Sequence, residues 1–200
     1  MSADTQGARG VAGLRIAVGA IWGIDAYLKW QPAFLHHVVS YFEVAMAGQP
    51  AWLMPWFHGW LSLIRMDPGL VAWSTAVMET LLAAALVLGV FRKLAYWLAA
   101  VLSGGIWITA EGFGKPFNAG ATDIGSSIIY VLLFIALGYL SRYAGTSEPA
   151  LDHFLVRRYP ALDRIVRFDT AGHPTVDPRT REARVRHFPP RCRGAGDRQG

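Results

Sequence analysis

The sequence predicts an all-α integral membrane protein: a four-helix bundle with an outer interfacial helical hairpin and a partly disordered, Arg-rich tail. Two observations carry this expectation. The 200 residues are 53% hydrophobic and only 16% charged, with eight tryptophans. The apolar residues also gather into runs of spanning length, at about 10–30, 70–90, 94–110 and 124–140. A span needs roughly 20 apolar residues to cross a ~30 Å hydrocarbon core. Backbone N–H and C=O groups find no water there, so each run is expected to be an α-helix. LLAAALVLGV, at 81–90, has no polar stripe of the kind a soluble helix bundle would show. The chain therefore divides into an N-terminal arm (1–9), a four-span domain (10–142) and a basic tail (143–200).

The first span carries Arg15, Asp25 and Lys29 and lacks a small-residue cleavage site, so it is expected to stay as a membrane helix rather than be cleaved as a signal peptide. Residues 1–140 hold seven Lys/Arg and seven Asp/Glu, whereas 141–200 hold twelve Arg and seven acids. The net +5 thus lies in the tail. Arg92 and Lys93 occupy the short link between the second and third spans. Under the positive-inside rule both termini and residues 91–93 face the cytoplasm of a bacterial-type plasma membrane, and 31–69 and 111–123 face outward.

Residues 31–69 are too broken by Pro32, Pro50, Pro55 and Pro68 to span. Two helices are expected there, about 33–47 and 51–66. Trp52, Trp56 and Trp60 recur every four residues on one side and resemble an aromatic belt at headgroup depth. The segment reads either as an anchoring hairpin or as a lid over a lipid-accessible pocket. In the tail, 151–168 mixes apolar and basic residues suited to the inner membrane face. Beyond about 169 the Pro-, Gly- and Arg-rich composition predicts disorder. The basic charge is expected to attract membrane lipid, not nucleic acid, since no base-reading module accompanies it. Cys192 is the only cysteine, which excludes an internal disulfide, and the lone thiol is expected to be inert. His36, His37 and His58 show no metal-ligand spacing, and no flavin or nicotinamide fingerprint is present, so neither a bound metal nor a flavin is expected.

Ionisable residues inside spans are costly and mark candidate sites. Arg15, Trp22, Asp25 and Lys29 fall within an arc of about 80° on the first helix. Asp25 and Lys29 can pair at i, i+4. Glu79 lies near the middle of the second span, and antiparallel helices would put it between the levels of Arg15 and Asp25, where it should pair with a cation of the first span or stay protonated. Arg15 and Glu79 are then members of a buried charge network. Two readings stand open: ion pairs that fix helix register, or a proton-exchanging site. The third span contains SGGIWIT (103–109), whose small residues permit close helix packing. Thr122 or Asp123 is expected to cap the fourth helix. Capping does not explain Glu111 and Lys115 in the same loop, EGFGKPFNAGATDIG.

The first helix ending IWGIDAYLKW, the long outer segment and WITAEGFGKPFNAGATDIGSSIIYVLLF together resemble the DoxX/DoxD family, and most closely its DoxD branch. That branch provides the small membrane subunit of thiosulfate:quinone oxidoreductase. The resemblance covers about 10–142, is strongest at 107–134, and is most specific at GATDIG (120–125). It implies a quinone-reactive membrane protein, or the membrane partner of a redox enzyme handling sulfur compounds. Quinone is the expected electron acceptor, and a second redox subunit or a homo-oligomer the expected partner. The resemblance assigns no individual catalytic residue. For the quinone that the resemblance implies, the residues themselves suggest a headgroup site beside loop 111–125, with Trp22, Trp107 and Phe113 stacking on the ring and Glu111 or Asp25 exchanging its protons. Lys29, Lys115 and Asp123 border that site, and Lys29 and Lys115 are the outer cations available to thiosulfate. The alternatives are a non-catalytic anchor for a soluble redox or stress-response enzyme, and a small-solute transporter. Four spans without an inverted repeat count against the last.

The topology is checked by single-cysteine labelling in a Cys192→Ser background. A cysteine introduced at Asn118 should react from outside intact cells; reaction only after the inner face is opened would reverse the orientation.

Overall fold

The computed structural model describes residues 3–115, 117, 121–144 and 150–159. All of these lie in one compact unit, Met1–Thr170; the second unit, Ala171–Gly200, falls outside the described residues. So do the expected tail disorder, Cys192 and Gly120 of the GATDIG stretch. Among the described residues every regular element is helical: α1 (Ala3–Lys29), α2 (Pro32–Leu35), α3 (Val38–Met46), α4 (Met54–Met66), α5 (Pro68–Leu88), α6 (Arg92–Ile108), α7 (Ser127–Ala144) and α8 (Asp152–Arg158), with a single 3-10 turn at Gly112–Gly114.

Three helices are long and apolar enough to cross a membrane: Gln6–Lys29, Pro68–Leu88 and Ser127–Ala144. The expected third span is α6, and its 17 residues reach only about 26 Å at 1.5 Å per residue. Its first two residues are Arg92 and Lys93, which shortens the apolar part further. Helix α1 begins earlier than the expected arm allowed, at Ala3. The outer segment is more broken than its prolines predicted. The first of its helices is split at His36–His37, and the second starts at Met54. Trp56 and Trp60 share α4, with ring centroids 5.8 Å apart. Trp52 lies in the turn before α4 and packs edge-on against Phe117 instead.

One core cluster draws on four helices: Val18 and Trp22 of α1, Leu82 and Leu86 of α5, Tyr96 and Ala99 of α6, and Phe134 and Leu137 of α7. Helix α1 runs antiparallel to α5, so the Gly23 end meets Ala83 while Arg15 meets Leu86 and Val87. Helix α6 runs antiparallel to α7, with Tyr96 Oη 3.2 Å from Ser141 Oγ. Close approach between these two comes from Ala95, Ala99 and Ser103, buried at successive turns of α6. The Gly104–Gly105 pair contributes less than the sequence suggested: a side chain added at Gly105 would meet nothing.

Helix ends in this apolar bundle still leave backbone donors and acceptors to satisfy. Asp67 does so locally, its carboxylate accepting from Leu70 N at 2.9 Å ahead of Pro68 at the first helical position of α5. The other end of α5 is closed from a distance. Arg15 is fully buried, and its guanidinium donates to the carbonyls of Leu86 and Val87. Gly89 then ends the helix in the left-handed region, φ 67°. A side chain there would strike the Arg15 guanidinium, so glycine serves both the backbone turn and the room beside it.

Helix α6 is capped from 60 residues downstream. The Asp152 carboxylate accepts from Phe91 N at 2.6 Å and Arg92 N at 3.3 Å. It also accepts from Arg92 Nε at 2.9 Å, in a pair whose side chains are 3% and 1% exposed. Leu151 N and Asp152 N return bonds to Leu88 O and Gly89 O. The start of the tail is thus bound to the bundle rather than only lying on a membrane face. Asp152→Ala should lower stability by about 3 kcal/mol, the scale for removing one partner of a buried ion pair. Truncation after Phe168 should leave detergent melting nearly unchanged. Equal melting of wild type and Asp152→Ala would show that this tie carries no stability.

Candidate functional site

The charges of α1 and α5 meet where the C-terminal end of α1 faces the middle of α5. Lys29 Nζ lies 2.8 Å from Asp25 Oδ2 and 3.4 Å from Glu79 Oε2. The antiparallel register brings Lys29 level with Glu79, and i, i+4 spacing places Asp25 one turn away on the same face. The side-chain exposures run in a gradient: 48% for Asp25, 19% for Lys29, 0% for Glu79. Both Glu79 oxygens are buried without a hydrogen-bond partner among the described residues. At 3.4 Å the Lys29 contact is an ion pair that lacks hydrogen-bond geometry. The Phe34 ring stands 5.6 Å from the ammonium and screens it on one side. Trp30 closes the neighbouring gap, its Nε1 donating to Thr80 Oγ1 at 2.9 Å and its ring packing edge-on against Trp73. The group holds two carboxylates against one ammonium, so it can take up one proton and become neutral.

Loop 111–125 is built differently. Gly112, Phe113, Gly114 and Lys115 all have positive φ, at 57°, 59°, 73° and 55°, which winds one left-handed turn. Two of the four positions are glycine, which adopts this region freely; Phe113 and Lys115 bear the cost, roughly 1–2 kcal/mol each. The turn persists because its surroundings hold it. Phe113 packs against Trp107 and Phe57. Gln49 Nε2 donates to Gly112 O at 3.0 Å and Ala45 O at 3.1 Å. A Cβ at Gly112 would lie 2.7 Å from Ala45 O and from Gln49 Nε2. One at Gly114 would strike the backbone of Ile124.

This turn aims the loop's charges at helix ends. Glu111 Oε1 accepts from Ser126 Oγ and Ser127 Oγ, both at 2.8 Å, and its Oε2 accepts from Ser127 N at 3.0 Å. Glu111 therefore caps α7, a carboxylate at the positive end of the helix dipole. The expected cap at Thr122 or Asp123 is not the one formed, because the helix starts later, at Ser127. Asp123 Oδ1 instead accepts from Gly125 N at 2.7 Å in a local Asx turn. Lys115 Nζ donates to Val44 O at 2.6 Å, a cation at the C-terminal end of α3. Trp107 Nε1 donates to Ile124 O at 2.7 Å and ties the loop's two arms.

The expected site residues thus fall into separate places. Asp25, Lys29 and Glu79 form one group; Trp107, Glu111, Phe113, Lys115 and Asp123 form another. Among the described residues no hydrogen bond or ion pair joins the two. Arg15 leaves the expected network for the carbonyls ending α5. Trp22 is committed to the core, edge-on to Tyr130 at 5.3 Å and Phe134 at 5.0 Å, and its Nε1 has no hydrogen-bond partner among the described residues. Sequence reading missed Gln49, Ser126, Ser127 and Asp152. Only the serines carried a signal, as a polar pair directly before an apolar run.

Fold and site define a class: a protein whose described elements are helical, three of them of membrane length, with an acid-rich charge triad where two of these meet, half-exposed at Asp25 and buried at Glu79. No protein-family model, no curated protein and no solved structure matches the chain.

Glu111→Ala removes the acceptor for one backbone and two hydroxyl donors. It should cost about 1–2 kcal/mol, the range for losing an N-cap, and lower detergent melting by a few degrees. Glu111→Gln keeps an acceptor and the shape, and should cost less than half as much. Melting unchanged in both variants would contradict the capping role.

Proposed function

We propose that this chain is a membrane subunit of a quinone-linked oxidoreductase, and that the Asp25–Lys29–Glu79 triad exchanges protons with the quinone. The carrying observation is the gradient from a half-exposed carboxylate, through an ammonium, to a wholly buried carboxylate lacking a hydrogen bond. Quinone reduction consumes two electrons and two protons. The electrons come from a redox-active partner subunit, since this chain carries no flavin or nicotinamide fingerprint. The protons pass through the triad: Asp25 is its accessible member, Lys29 donates to a quinone oxygen, and Glu79 is the buried reserve that reloads from Asp25. The reading retains a four-helix membrane domain with both termini cytoplasmic. It moves Glu111 and Lys115 from the site to its supporting frame. Lys115 is committed to the Val44 carbonyl and Lys29 to its two carboxylates and the quinone, so thiosulfate is assigned to the partner subunit. The second reading is a non-catalytic anchor, favoured by the capping duties of Glu111 and Lys115.

Purification in mild detergent should yield the wild type with bound quinone and a redox protein. Glu79→Gln preserves volume and should lower turnover of a short-chain quinone at least tenfold with little change in melting. Wild-type turnover in Glu79→Gln would sink the triad mechanism. Absence of both quinone and a redox protein would put the anchor reading first.

A further inference from the structure

Helix α8 presents two unlike sides. Asp152 and Val156, spaced i, i+4, are 1% and 9% exposed and face the bundle. At 100° per residue Phe154 stands about 180° from the midpoint between them, and Leu151, Arg157 and Arg158 all fall within about 60° of Phe154. Phe154 is 71% exposed and Leu151 43%. Both arginines are exposed as well. Arg158 lies over the Tyr159 ring at 5.2 Å, and no acid among the described residues pairs with either arginine. The one acid of the helix, Asp152, is taken by Arg92 on the opposite side.

The bundle sets where this outward face lies. Helix α5 is long and apolar enough to span and ends at Leu88. Leu151 N and Asp152 N donate to Leu88 O and Gly89 O, and the Asp152 carboxylate accepts from the first donors of α6. Helix α8 is thereby pinned beside the link between these two helices, level with the end of α5. We propose that the face of Leu151, Phe154, Arg157 and Arg158 docks on the anionic surface of the membrane leaflet at this end, with Phe154 below the headgroups and the two guanidiniums beside their phosphates. An apolar ring flanked by cations is the pattern of a helix lying in the interface. The long arginine stems let the charges stay at headgroup level while the ring goes deeper. The positive-inside reading makes this the cytoplasmic leaflet, where anionic lipids concentrate. An acidic protein would answer the arginines too; the level fixed by Leu88 and Gly89, that of lipid headgroups, favours lipid. The face is separate from the triad, so it stands or falls independently of the proposed redox role.

The test uses the full chain in a Cys192→Ser background, with Phe154→Cys carrying a bimane label. It is reconstituted into vesicles of phosphatidylcholine alone or mixed with phosphatidylglycerol, with no other protein present. With phosphatidylglycerol the label should be shielded from acrylamide in the water and quenched by spin-labelled lipid. In phosphatidylcholine alone it should stay open to acrylamide. Added salt should reverse the shielding. Arg157→Gln and Arg158→Gln should each weaken the docked state about fivefold, the effect of one basic residue near an anionic surface. Both side chains are exposed, so melting in phosphatidylcholine should match that of the parent. A label open to acrylamide in both kinds of vesicle would overturn the proposal and leave the face to a protein partner. Equal shielding in the two, or shielding that survives loss of both arginines, would overturn it as well.

Discussion

The structure depends on closing helix ends where water is scarce. Every α-helix leaves backbone donors at one end and acceptors at the other, and an apolar bundle supplies few neutral partners. Here the partners are charges brought from elsewhere in the chain. Arg15 meets the last carbonyls of α5, Lys115 a carbonyl ending α3, Asp152 the first donors of α6, and Glu111 those of α7. All four obey the sign of the helix dipole, cations at C-terminal ends and anions at N-terminal ends. Each contact also joins segments distant in sequence, so the bonds that finish the helices fix how the helices are arranged.

The asymmetry between these charges and the triad matters for function. A carboxylate that caps a helix has its lone pairs taken by N–H and O–H donors, as Glu111 does. Neutralising it would weaken the cap. Glu79 is as buried as the capping Asp152 but takes no hydrogen bond, and its neighbour Lys29 already leans toward Asp25. A proton can arrive there without dismantling a helix end. Burial alone does not tell the two kinds of carboxylate apart; the number of bonds tying each to the backbone does.

Membrane character was legible because it depends on composition and run length, which a sequence displays directly. The face shared by Arg15, Trp22, Asp25 and Lys29 was legible because helical periodicity is local. Antiparallel packing was expected too, but it put Glu79 between the levels of Arg15 and Asp25, whereas Glu79 meets Lys29, one turn beyond Asp25. The caps were not legible. Capping patterns are read within about four residues, whereas Glu111 lies 16 residues from Ser127 and Asp152 lies 60 from Arg92. The left-handed turn at 112–115 was hidden too, since Phe113 and Lys115 are held there by packing that only the fold supplies. For α6, the apolar pattern was right, but Arg92 and Lys93 consume its first turn and Thr109 ends it early.

The tie between Asp152 and Arg92 gives the protein an order of assembly. When α6 leaves the ribosome its N-terminal donors and the Arg92 guanidinium have no Asp152 to meet. That residue follows after 60 more have been made, about 3–12 s at usual translation speeds. During that interval one end of the bundle is unfinished, although α1, α5 and α6 have all been synthesised. The start of the basic tail is the stretch that seals it. Chains interrupted before this point leave at an open helix end an arginine that the Asp152 carboxylate otherwise buries.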